Sequence, residues 1–181
     1  VSEFGRVDYL VNCAGIDTTA LTPFPQTALA DLDTINSVNV RGVFTISAAI
    51  AAIMTSQEPR TIETKRFGSR SLGRGSIVNM ASAMSVRVIP HKTPYIMAKH
   101  ALLGFTKSAA MDLNKAGVRV NCVSPTWVQT PLLNELRETA PQIDQVIERL
   151  CSIGRAADPD EVAAAVLYLS GPGATYVTGL T

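Results

Sequence analysis

Residues 75–82 have the sequence GSIVNMAS, and this stretch decides the fold class. A glycine turn comes first, a short apolar run follows as a predicted buried strand, and Ser82 stands at the carboxyl end of that strand. Open α/β sheets hold their ligands at this end of their strands. The stretch therefore predicts an α/β protein with Ser82 at a binding edge.

Tyr95 and Lys99 stand four residues apart at the start of an apolar segment that is typical of a helix. Side chains at this spacing project from one face of a helix. A free phenol titrates near pH ~10, too high for proton exchange at neutrality, and a nearby ammonium lowers the pKa of the phenol. The spacing therefore indicates an acid/base pair, and we expect Ser82 to face Tyr95.

Strand and helix signals alternate along the chain. Buried strands are predicted at 7–11, 76–80 and 118–123, and helices at 27–54, 93–115 and 158–170. Such alternation implies parallel strands joined by right-handed crossovers. We expect residues 1–181 to form one domain.

Composition and charge narrow the class of protein. The 181 residues are 46% hydrophobic and 17% charged, with a formal net charge of +1, as in ordinary soluble domains. This charge gives no electrostatic reason to expect a nucleic acid or an anionic membrane as partner, and the longest apolar stretch, 43–54, is too short to span a bilayer. The three cysteines lack metal-ligand spacing and suit a reducing compartment, so we expect a cytoplasmic protein without a metal.

Residues 57–75 form a polar connection between the long helix and the strand at 76–80. The basic residues of this connection are Arg60, Lys65, Arg66, Arg70 and Arg74. Its glycine-rich part, 68–75, precedes a strand, whereas a dinucleotide-binding loop must follow a strand and begin a helix. We therefore predict a solvated insertion loop with a flexible turn, and we assign it no function.

Five motifs occur along the chain in the order of one known family. They are Asn12-Cys13-Ala14-Gly15, Asn39-Val40-Arg41-Gly42, Ser82, Tyr95 with Lys99, and Asn121-Cys122-Val123-Ser124-Pro125-Thr126 followed by Thr130-Pro131. From about Phe4 to Thr181 the chain resembles the short-chain dehydrogenase/reductase family, in particular its 3-oxoacyl-(acyl carrier protein) reductase-like members. Cys13 and Thr126 depart from it, since the family usually has asparagine and glycine there. The resemblance implies a Rossmann-like, doubly wound parallel sheet.

The resemblance also implies a catalytic tetrad of Asn39, Ser82, Tyr95 and Lys99. Tyr95 would be the general acid/base, Lys99 would lower its pKa and reach the nicotinamide ribose, and Ser82 would hold the substrate oxygen. Asn39 would position a water that connects Lys99 to solvent. The implied function is hydride transfer between NAD or NADP and a ketone or aldehyde, with an alcohol as the reduced partner. An isomerase or dehydratase that uses the same residues is an alternative.

Cofactor contacts are implied in two loops. The backbone of Asn12, Ala14 and Gly15 would approach the adenosine half of the dinucleotide, although Asn12 would equally serve to hold neighbouring strands together. The remaining contacts are expected at Tyr95, Lys99, Pro125, Thr126, Val128 and Thr130. Trp127 would either line the substrate pocket or pack beneath a lid.

The family's phosphate-binding glycine loop lies after its first strand, about 80 residues ahead of the motif that begins at Asn12. We therefore expect the first strands and this loop to lie outside the sequence, so that the chain is the catalytic half of a longer protein. The alternative is a catalytically inactive fragment or an interaction module that cannot hold a dinucleotide. For the full-length protein the resemblance implies a homodimer or homotetramer that acts on a small carbonyl compound or alcohol.

Overall fold

The computed structural model describes residues 3–18, 20–66 and 68–181. In chain order its main elements are β1 (Tyr9–Asn12), α1 (Leu29–Asn36), α2 (Val43–Ser56), β2 (Arg60–Thr64), β3 (Gly68–Gly73), β4 (Gly75–Met80), α3 (Thr93–Asn114), β5 (Val118–Val123), α4 (Pro131–Thr139), α5 (Ile143–Leu150) and α6 (Pro159–Ser170). The predicted α/β class is confirmed. The predictions for β5, α3 and α6 are correct to within one residue.

Strands β1, β4 and β5 form a parallel sheet with β4 in the centre. Ile77 and Val78 on β4 are almost fully buried, as are Val118 and Val120 on β5. Continuous apolar burial is expected of parallel strands that are covered on both faces. Met54 from α2 packs into the same cluster. The carboxyl ends of the three strands therefore meet at one edge of the sheet, as the sequence predicts.

A helical run from Leu29 to Ser56 follows β1, and its middle, Ser37–Gly42, is a π-helix that separates α1 from α2. The sequence predicts one helix at 27–54, whereas the structure inserts this wider turn. π-Turns are often found at functional sites. The run is long and apolar enough, by length and composition alone, to cross a membrane, which the shorter stretch at 43–54 did not indicate. Core helices pass the same test.

Within the connection 57–75, strands β2 and β3 pair as an antiparallel hairpin. The prediction of a loop with a flexible turn at 68–75 is therefore wrong. The physical reason is that pairing satisfies backbone groups that a loop would leave to water. Arg74 holds the base of the hairpin, because its Nε donates to the Gln57 carbonyl at 2.7 Å. Phe67 lies outside the described residues.

Candidate functional site

Ser82, Tyr95 and Lys99 come together at the carboxyl end of β4. Tyr95 and Lys99 lie one turn apart in α3, and the Lys99 Nζ is 5.5 Å from the centre of the Tyr95 ring. Lys99 is buried, and its Nζ donates to the Met80 carbonyl at 2.9 Å. Ser82 lies close enough to Tyr95 for its side chain to lower the pKa of the phenol. These three predicted site residues thus form one cluster.

Ser82 also caps the short helical turn Ala83–Ser85. Its Oγ accepts a hydrogen bond from the Met84 N–H at 3.1 Å, and its own N–H donates to the Ser85 Oγ at 3.1 Å. A hydroxyl that accepts one bond still has its proton to donate. The cap therefore fixes the Ser82 oxygen and leaves its proton for Tyr95 or for a substrate oxygen.

Burial is the largest influence on the pKa values of Tyr95 and Lys99. It raises the pKa of Tyr95 above its usual value; the Ser82 side chain opposes the rise, and the Asp17 carboxylate adds to it. Burial also lowers the pKa of Lys99, while charge interactions with Asp17 and Cys122 oppose that change. The sequence predicted a lowered pKa for Tyr95, and the structure corrects this, because the cost of burying a phenolate outweighs the neighbouring groups. At neutral pH the phenol is therefore protonated.

Asn39 lies in the π-helical segment and is buried. Its Oδ1 accepts from the Ile16 N–H at 2.9 Å, and its Nδ2 donates to the Ile16 carbonyl at 2.7 Å. Gly15, the residue before Ile16, lies close to the cluster of Ser82, Tyr95 and Lys99. A Cβ placed on Gly15 would stand 3.4 Å from the Asn39 Oδ1 and 3.6 Å from the Lys99 Nζ. The segment that follows β1 thus connects the fourth predicted residue to Lys99.

Asn12 takes part in a buried chain of hydrogen bonds, which we call the amide ladder. Its Nδ2 donates to the Ser47 Oγ at 2.9 Å and to the Asn79 Oδ1 at 2.8 Å. The Asn79 Nδ2 in turn donates to the Thr106 Oγ1 at 2.9 Å. The ladder joins β1, β4, α2 and α3 inside the protein. This arrangement favours the structural one of the two roles predicted for Asn12.

The loop after β5 begins beside Ser82, because the Pro125 carbonyl accepts a hydrogen bond from the Ala83 N–H at 2.8 Å. The Thr126 Oγ1 lies 3.5 Å from the Cys151 Sγ, within hydrogen-bond distance for sulfur. The hydroxyl that Thr126 adds where the family usually has glycine is therefore turned toward Cys151.

Val128 forms an isolated parallel bridge with Ala157. The hydrogen bonds of this bridge come from the N–H groups of Gln129 and Ala157, so the bridge does not use the Val128 N–H. The Thr130 Oγ1 donates to the Val128 carbonyl at 3.2 Å. Trp127 packs against the buried apolar cluster of α4 and α5, which favours packing beneath a lid over the alternative of lining the pocket.

Two charged residues beside the site, Lys92 and Asp17, were not predicted from the sequence. Lys92 precedes Tyr95 by three residues, and its Nζ donates to the Asp17 Oδ2 at 2.9 Å and also to the Thr18 carbonyl. The ion pair joins positions that are 75 residues apart, so no local pattern reveals it. The one available signal is the position of Lys92 directly before the helix that carries the acid/base pair.

The three cysteines are free thiols in different environments. Cys13 is exposed, Cys122 is buried and Cys151 is partly buried. Burial raises the pKa of the Cys122 thiol, and a buried, protonated thiol is a poor nucleophile. In the part of the chain that the structure describes, no group of three or more His, Cys, Asp or Glu residues could hold a metal ion.

Known proteins resemble the whole chain. A family model described as Enoyl-(Acyl carrier protein) reductase matches residues 1–181. The short-chain dehydrogenase fogB of Aspergillus ruber is 41% identical over 179 residues, which cover 99% of this chain and 65% of that protein.

Solved structures share the fold. Levodione reductase has a TM-score of 0.85 and 29% sequence identity, covering 99% of this chain and 65% of its own. A gluconate 5-dehydrogenase from Burkholderia cenocepacia, in complex with NADP and tartrate, has a TM-score of 0.83 and 27% identity over 99% of this chain and 64% of its own. The chain thus spans just under two thirds of the length of fogB and of these two proteins.

Proposed function

The chain belongs to the short-chain dehydrogenase/reductase family, and on that premise we propose that it is the catalytic part of an NAD(P)-dependent oxidoreductase that interconverts a ketone or aldehyde and an alcohol. The observation that carries this proposal is the cluster at the end of β4, in which the Lys99 Nζ stands 5.5 Å from the centre of the Tyr95 ring and Ser82 lies beside the phenol. A phenol held between a hydroxyl and a buried ammonium can exchange a proton with a substrate oxygen. The NADP complex of gluconate 5-dehydrogenase supports NAD or NADP as the cofactor.

Tyr95 supplies the proton in the direction of carbonyl reduction. Its raised pKa keeps the phenol protonated at neutral pH, and the Ser82 hydroxyl, whose proton the cap does not use, donates a hydrogen bond to the same substrate oxygen. Once the proton has left, the Lys99 ammonium favours the phenolate. The nicotinamide, when bound, supplies or accepts the hydride. In the oxidation direction Tyr95 takes the proton from the alcohol.

Asn39 acts on this cluster through the segment that it holds. Both polar atoms of its side chain bind the backbone of Ile16, and the adjoining Gly15 lies against Lys99. We therefore assign Asn39 as a positioning residue that keeps the segment after β1 in place beside Lys99. The family resemblance further implies that Asn39 positions a water that would connect Lys99 to solvent.

The residues at the sheet edge fit a dinucleotide. Gly15 has no side chain where a Cβ would stand close to Lys99, so the backbone can approach a ligand there. The Thr126 hydroxyl is turned toward Cys151, and the Val128 N–H, which the bridge to Ala157 does not use, suits the carboxamide. The proposed contacts are Asn12, Ala14, Gly15, Tyr95, Lys99, Pro125, Thr126, Val128 and Thr130. Asn12 would contribute its backbone only, because the amide ladder uses its side chain.

Exposed apolar residues on α2 and α3 support a homodimer or homotetramer of the full-length protein. Phe44 and Ile46 on α2 are half or more exposed, as are Met97 and Met111 on α3. Apolar side chains concentrated on neighbouring helices are typical of association surfaces. We propose these two helices as the contact between copies.

The substitution Tyr95→Phe tests the proposed function. It should lower the turnover of NADH- or NADPH-linked reduction, assayed on the full-length protein with a panel of ketones, by roughly 100-fold or more, the scale of a lost acid/base group. The affinity for the cofactor and the thermal midpoint should stay close to those of the wild type.

Tyr168→Phe is the matched control, because Tyr168 lies half exposed on α6 and should keep wild-type turnover. Near-wild-type turnover of Tyr95→Phe would exclude Tyr95 as the acid. A wild-type protein that binds neither NADH nor NADPH in a calorimetric titration would favour the inactive alternative.

A further inference from the structure

Lys92 is a buried cation that the proposed reaction does not use. Its side chain is 7% exposed, and its Nζ contacts the Asp17 Oδ2 at 2.9 Å, while the Asp17 side chain is 20% exposed. The Thr18 carbonyl accepts a second hydrogen bond from the same Nζ. A buried ion pair adds little net stability, since the cost of desolvation offsets the attraction. A role in the neighbouring site is therefore the better explanation of this pair.

The backbone before Lys92 has an unusual conformation. His91 has a φ of 67°, in the left-handed region, and within the described ranges it is the only residue other than glycine with a positive φ. Such conformations persist where the surroundings impose them, and they are concentrated at functional sites. Here the His91 carbonyl accepts a hydrogen bond from the Thr22 N–H at 3.2 Å. Both the backbone and the Lys92 side chain thus tie the start of α3 to the segment after β1.

The Asp17–Lys92 pair lies beside the catalytic cluster. Asp17 directly follows Ile16, whose N–H donates to the Asn39 Oδ1, and Gly15, where an added Cβ would stand 3.6 Å from the Lys99 Nζ. Lys92 is the residue directly before α3, and Tyr95 lies in the first turn of that helix. The pair therefore joins the start of the helix that carries Tyr95 and Lys99 to the segment after β1.

The charge of Asp17 affects the protonation of the acid/base pair. The Asp17 carboxylate raises the pKa of both Tyr95 and Lys99. Three other ionisable groups face this region: Lys99 from α3, the Cys122 thiol from β5, and Asp31 from α1, which lines a cleft together with Asp17. Asp17 is the one carboxylate found to act on both members of the acid/base pair in the described part of the chain.

We propose that Asp17 and Lys92 are positioning residues whose locked charges set the pH range in which Tyr95 and Lys99 exchange protons with the substrate. The Asp17 carboxylate favours the protonated phenol and the charged ammonium. Lys92 holds that carboxylate in place and weakens its field at Tyr95. This inference rests on the proposed function, but its first test does not depend on turnover.

The first test titrates the Tyr95 phenol by its phenolate absorbance. The signal is the difference between each protein and the same protein carrying Tyr95→Phe. Asp17→Asn should lower the midpoint by about 0.5 to 1 pH unit, because the phenolate no longer faces a carboxylate. Lys92→Met should raise the midpoint by a similar amount, because the carboxylate is left without its counter-ion. The pH profile of alcohol oxidation should move in the same two directions.

Two control variants separate charge from packing. Lys92→Arg keeps the charge and should keep the wild-type midpoint. Glu161→Gln removes a carboxylate that pairs with Arg155 at 2.7 Å on α6, and it should leave the midpoint unchanged. If Lys92→Met does not fold, Lys92→Gln has the same expected result.

Shifts of the Tyr95 midpoint in opposite directions in Asp17→Asn and Lys92→Met distinguish the proposal from a loss of structure. A loosened site would move the midpoint in the same direction in both variants. Unmoved midpoints, or midpoints that move in the same direction, would overturn the roles of Asp17 and Lys92. Shifted midpoints in a protein without turnover would instead leave the pair in place and contradict the proposed function.

Discussion

Two polar clusters lie along one face of α3, and they are built differently. Tyr95 and Lys99, near the start of the helix, are ionisable groups whose pKa values burial shifts. Two turns after Lys99, Thr106 ends the amide ladder, in which neutral amides and hydroxyls satisfy one another through Asn79. Fully paired neutral groups add stability and fix one arrangement, whereas buried ionisable groups cost stability and retain reactivity. The comparison separates a structural cluster from a chemical one.

The amide ladder should show the largest effect on stability. Asn79→Ala removes its centre, which leaves one of the two Asn12 amide protons without an acceptor and the Thr106 hydroxyl without the amide that donates to it, so we expect a loss of about 3 kcal/mol in the free energy of unfolding. Urea denaturation measures it. Ser47→Ala, at the end of the ladder, leaves one partner unpaired and should cost about 1 kcal/mol. Equal costs for the two variants would show that the ladder does not act as a unit.

Replacing Lys99 should have little effect on stability and a large effect on turnover, the opposite of what we expect for the amide ladder. Lys99→Met loses the hydrogen bond to the Met80 carbonyl but removes a buried charge, so the free energy of unfolding at neutral pH should change by less than about 1 kcal/mol. Turnover should nevertheless fall, because the phenolate of Tyr95 loses its ammonium. A loss of stability as large as that of Asn79→Ala would erase the distinction between the clusters.

The pH dependence of stability gives a second measure of Lys99. Because burial lowers the pKa of Lys99 in the folded state, the folded protein binds fewer protons there than the unfolded chain does. Stability should therefore rise with pH between the folded pKa and the ordinary value near ~10.5. Lys99→Met should lose this rise. Urea denaturation at a series of pH values below the ionisation of Tyr95 tests it, and an unchanged slope would contradict the buried-ammonium argument.

Local signals predicted most of the fold. The segment Val118–Val123 was predicted as a strand with the bounds that β5 has, and the spacing of Tyr95 and Lys99 placed them on one face of α3. The missed features depend on partners far along the chain. The hairpin required the pairing of two polar segments, and the ion pair of Asp17 with Lys92 joins two loops. Composition and periodicity contain no information about such contacts.

The features of the site divide in the same way, into those that depend on local sequence and those that depend on distant residues. The sequence placed Ser82 at the correct edge of the sheet, because the end of a strand is a local property. It could not choose between the two roles of Asn12, since that choice depends on Ser47 and Asn79. It also gave the pKa of Tyr95 the wrong direction, because burial is a property of the whole fold.

Two glycine substitutions should have small effects on the free energy of unfolding. Gly104 lies within α3, and a Cβ there would meet nothing within 4 Å, so Gly104→Ala should stabilise the protein by about 1 kcal/mol by reducing the freedom of the unfolded chain. A Cβ on Gly15 would stand 3.4 Å from the Asn39 Oδ1 and 3.6 Å from the Lys99 Nζ. Because these are ordinary contact distances, Gly15→Ala should change the free energy of unfolding by less than about 0.5 kcal/mol.

Turnover should be affected more by Gly15→Ala than by Gly104→Ala, which is the reverse of their effects on stability. The methyl group of Gly15→Ala would lie between Lys99 and the side chain that holds its neighbouring segment, and small misplacements of catalytic groups are costly. We therefore expect turnover to fall several-fold in Gly15→Ala and to stay at the wild-type level in Gly104→Ala, measured with the substrate that the ketone panel identifies. Wild-type turnover in both variants would mean that the contact between Gly15 and Lys99 has no part in the chemistry, and the chemical cluster would then reduce to Ser82, Tyr95 and Lys99.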